Sequence, residues 1–387
     1  MNDASDKAPA TAATNGDAAG SGHETLGLAG RFEDLLSGRR RGAVAAATRA
    51  ILWSASQAYR LAVSIRNTWY DLGLGLASLP VPVISVGNIT VGGTGKTPMV
   101  IWLANCLAAI GRRPAVVCRG YKRSARGLAD ELHLVRLRCP RAICIADPDR
   151  VRGGRRAIAE GADVLLLDDG FQHRRLRRDL DIVLVDATRP FGYRHLLPRG
   201  LLREPVSSLR RAGVVVVTRA DQADPSHVDC LRRELARLAP QTPILRAVHK
   251  PAGLVTLEGR PADLPPGSRE VVAFAAIGNP EAFDLTLRQI GVRLSGGVTR
   301  FPDHHAYTLR DCQRLCKLSQ AREADLITTE KDAAKLAGLS VKWPRPIRAL
   351  RVDIEFLDED GTILTRLIET AIGSSEETHA HRPLAAR

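Results

Sequence analysis

The segment Thr90-Val-Gly-Gly-Thr-Gly-Lys-Thr97 lies between an apolar run at 82–86 and an apolar-periodic stretch at 99–104. A glycine-rich turn between a strand and a helix aims backbone N–H groups and the positive end of the helix dipole at one point, where a phosphate chain binds. The cradle so predicted comprises Thr90, Val91, Gly92, Gly93, Thr94, Gly95, Lys96 and Thr97. Lys96 can reach the β- and γ-phosphates, and the Thr97 hydroxyl can ligate Mg²⁺. Thr90 replaces the first glycine of the full P-loop pattern, while Gly92, Gly93, Gly95, Lys96 and Thr97 keep the rest. These residues predict a nucleoside triphosphate site and leave the phosphate acceptor open.

A second constellation is Val164-Leu-Leu-Leu-Asp168-Asp169-Gly170, an apolar strand ending in two acidic residues. In P-loop folds such a strand end supplies a carboxylate for Mg²⁺, and α/β sheets bind ligands at these ends. A strand running into an Asp-Gly turn would look the same; the P-loop upstream favours the metal role for Asp168 and Asp169. Four arginines at 174, 175, 177 and 178 follow, and could face an anionic substrate or form a solvated turn. Asp186 ends the next apolar run. Asp130-Glu131 could take a proton from an attacking hydroxyl, as a kinase base does, or be a surface pair. Phe301-Pro-Asp-His-His305 could ligate a metal, tune a base or hydrogen-bond a loop.

The elements that must position these residues read as α/β. Apolar runs at 115–118, 142–145, 164–167, 182–185 and 214–217 alternate with helical patterns, as buried parallel strands do. A second series lies at 271–274, 326–328 and 347–352. The expected architecture is a P-loop NTPase-like α/β/α domain over 80–224 and a smaller α/β domain over 225–372, with the junction in the proline-bearing stretch after Asp224.

Both ends, 1–25 and 373–387, read as disordered tails from their small and polar composition. Residues 44–79 form an amphipathic pattern. Ile51, Leu52, Ala55, Ala58, Tyr59, Leu61, Ala62, Val63 and Ile65 gather on one side of a helical wheel, and Ser56, Gln57, Arg60 and Ser64 fall opposite. Such a helix could lie in a membrane interface or pack on the core. No stretch reaches the roughly 18 apolar residues of a membrane span. The 387-residue chain carries 56 Lys+Arg against 42 Asp+Glu, a net +14 that suits polyanionic partners or reflects an arginine-preferring composition. Its aromatic content of 4% gives few stacking platforms for nucleic acid, which is not an expected partner. The seven cysteines form no Cys-x-x-Cys pair and read as reduced thiols.

The ordered set Gly87-Asn-Ile-Thr-Val-Gly-Gly-Thr-Gly-Lys-Thr-Pro98, Arg119-Gly-Tyr121, Asp130-Glu131, Asp168-Asp-Gly-Phe-Gln-His173, Leu197-Pro-Arg-Gly-Leu-Leu-Arg-Glu-Pro205, Ile277-Gly-Asn-Pro280, Phe301-Pro-Asp-His304 and Thr328-Thr-Glu-Lys-Asp332 resembles the tetraacyldisaccharide 4'-kinase family of lipid A biosynthesis. The resemblance runs from about Leu61 to Ile372 and accounts for Thr90, since that family's loop typically lacks the first glycine. The family's Gly-Asp-Glu-Pro element stands here as Ala129-Asp-Glu-Leu132, and Lys122-Arg123 replaces the small residues often found after Arg-Gly-Tyr. The resemblance implies transfer of the ATP γ-phosphate to the 4'-hydroxyl of a tetraacylated glucosamine disaccharide 1-phosphate, giving lipid IVA, at the cytoplasmic face of the inner membrane. It implies Asp130 as the base, His304 beside it, Mg²⁺ held by Thr97 with Asp168 or Asp169, and a membrane-associating helix within 44–79 that meets an anionic surface. Oligomeric state is not legible.

Rival readings are weaker. A deviant-Walker regulatory ATPase acting at membranes would carry its signature lysine where this chain has Val91. Thr218-Arg-Ala-Asp221 only faintly echoes a guanine-reading motif.

Overall fold

A computed structural model describes residues 28–120, 130–264, 270–303 and 305–380. The segment read as an N-terminal tail, 1–25, lies outside them, as does His304.

Two helices come first, α1 (Leu28–Ser37) and the 29-residue α2 (Ala43–Asp71). Then β1 (Val83–Asn88), buried at every position, leads through the glycine loop into α3 (Lys96–Ala109). The chain alternates onward through β2 (Pro114–Cys118), α4 (Asp130–Arg138), β3 (Ile143–Ala146), α5 (Arg150–Ala159), β4 (Val164–Asp168), β5 (Leu180–Asp186), β6 (Val214–Thr218), α6 (Pro225–Leu238) and β7 (Ile244–Val255). The second series is β8 (Pro261–Ala262), β9 (Val271–Ala275), α7 (Pro280–Gln289), β10 (Leu294–Arg300), α8 (Leu309–Ala321), β11 (Asp325–Thr329), α9 (Glu330–Leu336), β12 (Ile347–Phe356) and α10 (Asp360–Ala380).

Among the described residues twelve strands join one sheet, ordered β10-β9-β11-β12-β7-β6-β5-β1-β4-β2-β3, with β8 beside β7. Strands covered on both faces need apolar residues throughout, so β4, β6 and β9 read as unbroken apolar runs and are buried at every position. Pairing along this order is parallel except at β12–β7. β1 lies between β4 and β5, so the loop that follows it and the acidic end of β4 share one sheet edge.

The expected junction at 224/225 precedes α6, yet Val228, Leu231 and Leu235 of α6 pack in the same buried cluster as Val215 and Val217 of β6. The chain crosses between the lobes within β7, whose first residues pair with β6 and whose later ones pair with β12. It returns at its end: Leu364, Ile368 and Ile372 of α10 pack with Leu103 and Leu107 of α3. The tail expected from Gly373 is helical as far as Ala380.

α2 departs from the face assignment read off the wheel. Ser56, placed on the polar side, is buried together with Val63, and Tyr59 packs against the core beside them. A separate apolar stripe with alternating spacings of four and three (Ile51, Ala55, Ala58, Ala62, Ile65, Trp69, Leu72) faces solvent. Ile51 is 69% exposed, Ile65 62% and Trp69 55%. The inner face needs only small or amphipathic residues because it meets loops, so the larger apolar side chains point outward. No described helix is long and apolar enough to cross a membrane.

Candidate active site

Gly95, at φ +91°, caps α3 in a left-handed conformation that suits glycine. The loop before it is pinned on its outer side, where Val91 N donates to Leu201 O (2.7 Å) and Arg203 N donates to Ile89 O (2.7 Å). On its inner side Thr218 Oγ1 donates to Thr94 O at 3.0 Å. Lys96, the first residue of α3, lays its Nζ 3.2 Å from Asn88 Oδ1 and 3.5 Å from Asp169 Oδ1. Its ammonium thus lies between the loop and the end of β4.

Asp168 closes β4 in register with Val86 of β1 and is 4% exposed. Asp169 follows at φ +54° and is gripped through both carboxylate oxygens by Arg203 Nη1, each at 2.8 Å. Burial alone would raise the Asp169 pKa; Lys96 and Arg203 outweigh it and hold the carboxyl below its ordinary value. Both oxygens of Asp169 are therefore engaged by Arg203, with the Lys96 ammonium beside Oδ1.

Arg203 is held in turn from α2. The Tyr59 hydroxyl donates to its carbonyl at 2.9 Å. The adjoining Glu204, wholly buried, accepts from Asn67 Nδ2 (3.1 Å) and pairs with Arg66 (3.2 Å) and Arg211 (2.9 Å). Burial pushes the Glu204 pKa up, but Arg211 and Arg66 bring it below the usual value. The sequence reading assigned neither residue a role, because Arg203 meets Asp169 across 34 positions and Glu204 meets Asn67 across 137. The Leu-Arg-Glu-Pro string at 202–205, part of the family resemblance, was the signal available.

The arginine run is largely committed internally. Arg174 bonds Asn67 O (2.9 Å) and Asp71 (2.6 Å) at the end of α2, Arg175 pairs with Asp149 (3.1 Å), and Arg178 holds Asp181 (2.9 Å). It is a structural clasp more than an anion-facing patch. His173, beside it, has its pKa pushed down to about 4 by burial and by Arg150, so the ring is neutral near pH 7.

The second lobe supplies the opposite wall of the cleft, with Gly278, Asn279, Phe283, Thr329, Glu330 and Lys331 across from the glycine loop. A Cβ on Gly278 would fall 2.3 Å from Gly93 N, so only glycine permits this close approach. Asn279 Nδ2 donates to Asp186 Oδ2 (3.2 Å) and Thr188 Oγ1 (3.0 Å), while Arg219 also pairs with Asp186. Asp186 is thereby a latch between lobes. Asp332, in the Thr-Thr-Glu-Lys-Asp string, accepts from Ala276 N at 2.9 Å and so fixes the strand end before Gly278.

α4 also borders the cleft through Leu134 and Arg138, and Arg138 pairs with Glu330 at 2.7 Å. Helical spacing puts position 130 on the face shared by 134 and 138; the Asp130 side chain itself lies outside the described residues. His304 does too, although its neighbour Asp303 lines the cleft. His305 is committed elsewhere, 3.0 Å from Asp311 and stacked on Phe301 with ring centroids 5.1 Å apart. Lys96 meets Asp169 at 3.5 Å, with Asp168 preceding at the end of β4 and Thr97 following on α3. Among the described residues no group of three or more His, Cys, Asp or Glu is arranged to hold a metal. A cation carried by phosphate oxygens, water and one or two protein oxygens needs no such cluster.

A buried central strand, a phosphate-cradling loop and a helix starting on lysine define the class, a P-loop NTPase-like α/β fold. Within that class, the chain belongs to the tetraacyldisaccharide-1-P 4'-kinase family, whose model matches residues 48–372. It is similar to the tetraacyldisaccharide 4'-kinase of Syntrophus aciditrophicus (strain SB), 43% identical over 72% of this chain and 82% of that one. It is likewise similar to that of Anaeromyxobacter sp. (strain Fw109-5), 41% identical over 77% and 85%. Among solved structures it resembles Aquifex aeolicus LpxK in complex with ATP, with TM-score 0.66 and 30% identity over 84% of this chain and 99% of that one.

Proposed function

We infer that this chain is a lipid kinase that transfers the ATP γ-phosphate to the 4'-hydroxyl of a tetraacyldisaccharide 1-phosphate in lipid A biosynthesis. The observation that carries the reading is Lys96, set between the phosphate-binding loop and the β4 carboxylates in a chain belonging to that family. Backbone N–H groups of 92–97 bind the phosphates, and the Lys96 ammonium offsets charge building between β and γ. Thr97 with Asp168 or Asp169 would hold Mg²⁺, which, when bound, neutralises charge on the β- and γ-phosphate oxygens. Asp169, paired with Arg203 and Lys96, orients the lysine. Asp130 takes the proton of the 4'-hydroxyl, and His304 supports it. Val91, where a deviant-Walker ATPase has lysine, gives no ground for a second reading.

The acceptor is a membrane lipid, and the outward stripe of α2 is the surface suited to reach it. An apolar helical face flanked by arginines binds an interface by apolar burial and by attraction to anionic head groups. The enzyme then works at the cytoplasmic face of the inner membrane, where ATP is available. Replacing Ile51, Ile65 and Trp69 together by serine is expected to weaken co-sedimentation with phosphatidylglycerol vesicles at least about tenfold, roughly 1.4 kcal/mol. All three side chains are exposed on a helix that contacts the body through another face, so ATP binding stays at the wild-type level. Unchanged sedimentation would remove the docking role.

The function itself is tested by incubating the protein with γ-labelled ATP and tetraacyldisaccharide 1-phosphate in detergent. A labelled bisphosphorylated lipid is expected. Label appearing only as inorganic phosphate would overturn the reading.

A further inference from the structure

His249 projects from β7 into the cleft that the glycine loop lines, and it is 6% exposed. Among the described residues its Nε2 has no hydrogen-bond partner. The ring lies hard against the loop: a Cβ on Gly95 would come 2.4 Å from Nε2. Burial, reinforced by Arg219, keeps the imidazole neutral. Leaving a buried polar atom unpaired costs about 1–3 kcal/mol, and folded proteins leave few such atoms. A second orphan lies on the same wall, the Thr94 hydroxyl, 4% exposed and also unpaired. Two buried polar atoms wanting partners, both lining the phosphate cradle, indicate a ligand whose oxygens fill that space.

We propose that His249 is a nucleotide-binding residue, its Nε2–H donating a hydrogen bond to a non-transferred phosphate oxygen of ATP beside Gly95. A phosphate oxygen only accepts, so the ring must present the donor tautomer at this atom. The contact is to the part of the nucleotide that remains after transfer, so ADP shares it. Glycine at 95 serves here as a window, since any side chain would fill the path between the imidazole and the cradle.

The proposal rests on ATP as the bound nucleotide but not on the identity of the acceptor. The test is nucleotide binding by the full-length protein without lipid, using calorimetry with ADP and with ATP, for His249→Leu and His249→Gln. Leucine is expected to raise both dissociation constants about tenfold, and glutamine, which keeps an amide donor near the Nε2 position, to recover most of the loss. In the lipid kinase assay the leucine variant should show its loss mainly in the KM for ATP. Wild-type ADP binding by the leucine variant would overturn the proposal. So would a glutamine variant that folds, by its thermal midpoint, yet binds no better than leucine, since the ring would then be packing alone. Should the leucine variant fail to fold, the glutamine variant decides: near-wild-type ADP affinity supports the hydrogen bond, and a tenfold loss counts against it. A protein that binds ADP as predicted but makes no labelled lipid would sink the acceptor reading and leave this one standing.

Discussion

Lys96→Ala is expected to lower kcat/KM for lipid phosphorylation by about 10³-fold or more, roughly 4 kcal/mol of transition-state stabilisation. The lysine is the positive charge set between the loop and the β4 carboxylates, and phosphoryl transfer depends mainly on positioning and charge. The fold should survive. Asp169 keeps both of its bonds to Arg203 when the ammonium is gone, so no buried carboxylate is stranded. Single-turnover transfer of labelled phosphate measures the first effect, and a thermal melt within a few degrees of wild type checks the second. Lys96→Arg restores charge but not the compact ammonium that fits between Asn88 and Asp169, and is expected to recover little. Near-wild-type turnover by Lys96→Ala would remove the lysine from the chemistry.

The second large effect is expected at Asp130. Loss of a positioned base typically costs about 10²–10⁴-fold, so Asp130→Asn should fall in that range while binding ATP normally. The helix that starts at this residue borders the cleft one and two turns later, at Leu134 and Arg138, and its end is tied to the second lobe through Glu330. Position 130 is thus carried on a braced helix face. The substitution keeps shape and removes only the basic oxygen. Unimpaired lipid phosphorylation by Asp130→Asn would end the base assignment.

What could be read directly from the chain follows from how local each constraint is. The cradle at 90–97 was legible because a loop that presents N–H groups to phosphate must be glycine-rich and must sit between strand and helix. The β4 carboxylates were legible because a buried parallel strand has an unbroken apolar pattern, so its acidic end stands out. β7 was not, since its lysine and proline at 250 and 251 break the pattern within the stretch that pairs with β12. The orientation of α2 was missed for another reason. A wheel separates apolar from polar but does not tell which side meets protein, and here Ser56 goes in while Ile51 and Trp69 stay out. Arg203, Glu204 and His249 have partners far away in sequence, so no spacing could reveal them.

One consequence follows from β7. Its first residues bond in parallel to β6 in one lobe, and its later residues bond antiparallel to β12 in the other. The two walls of the cleft are therefore joined by continuous sheet as well as by crossing chain, with α10 from the second series packed back on the first. Adjacent strands of a sheet are rotated relative to one another, and the twist accumulates across the sheet. Parting the two walls without breaking the ladders of β7 to β6 and β12 then means a change in that twist, spread over many hydrogen bonds. A substitution in one loop leaves those ladders in place and so does not by itself part the walls.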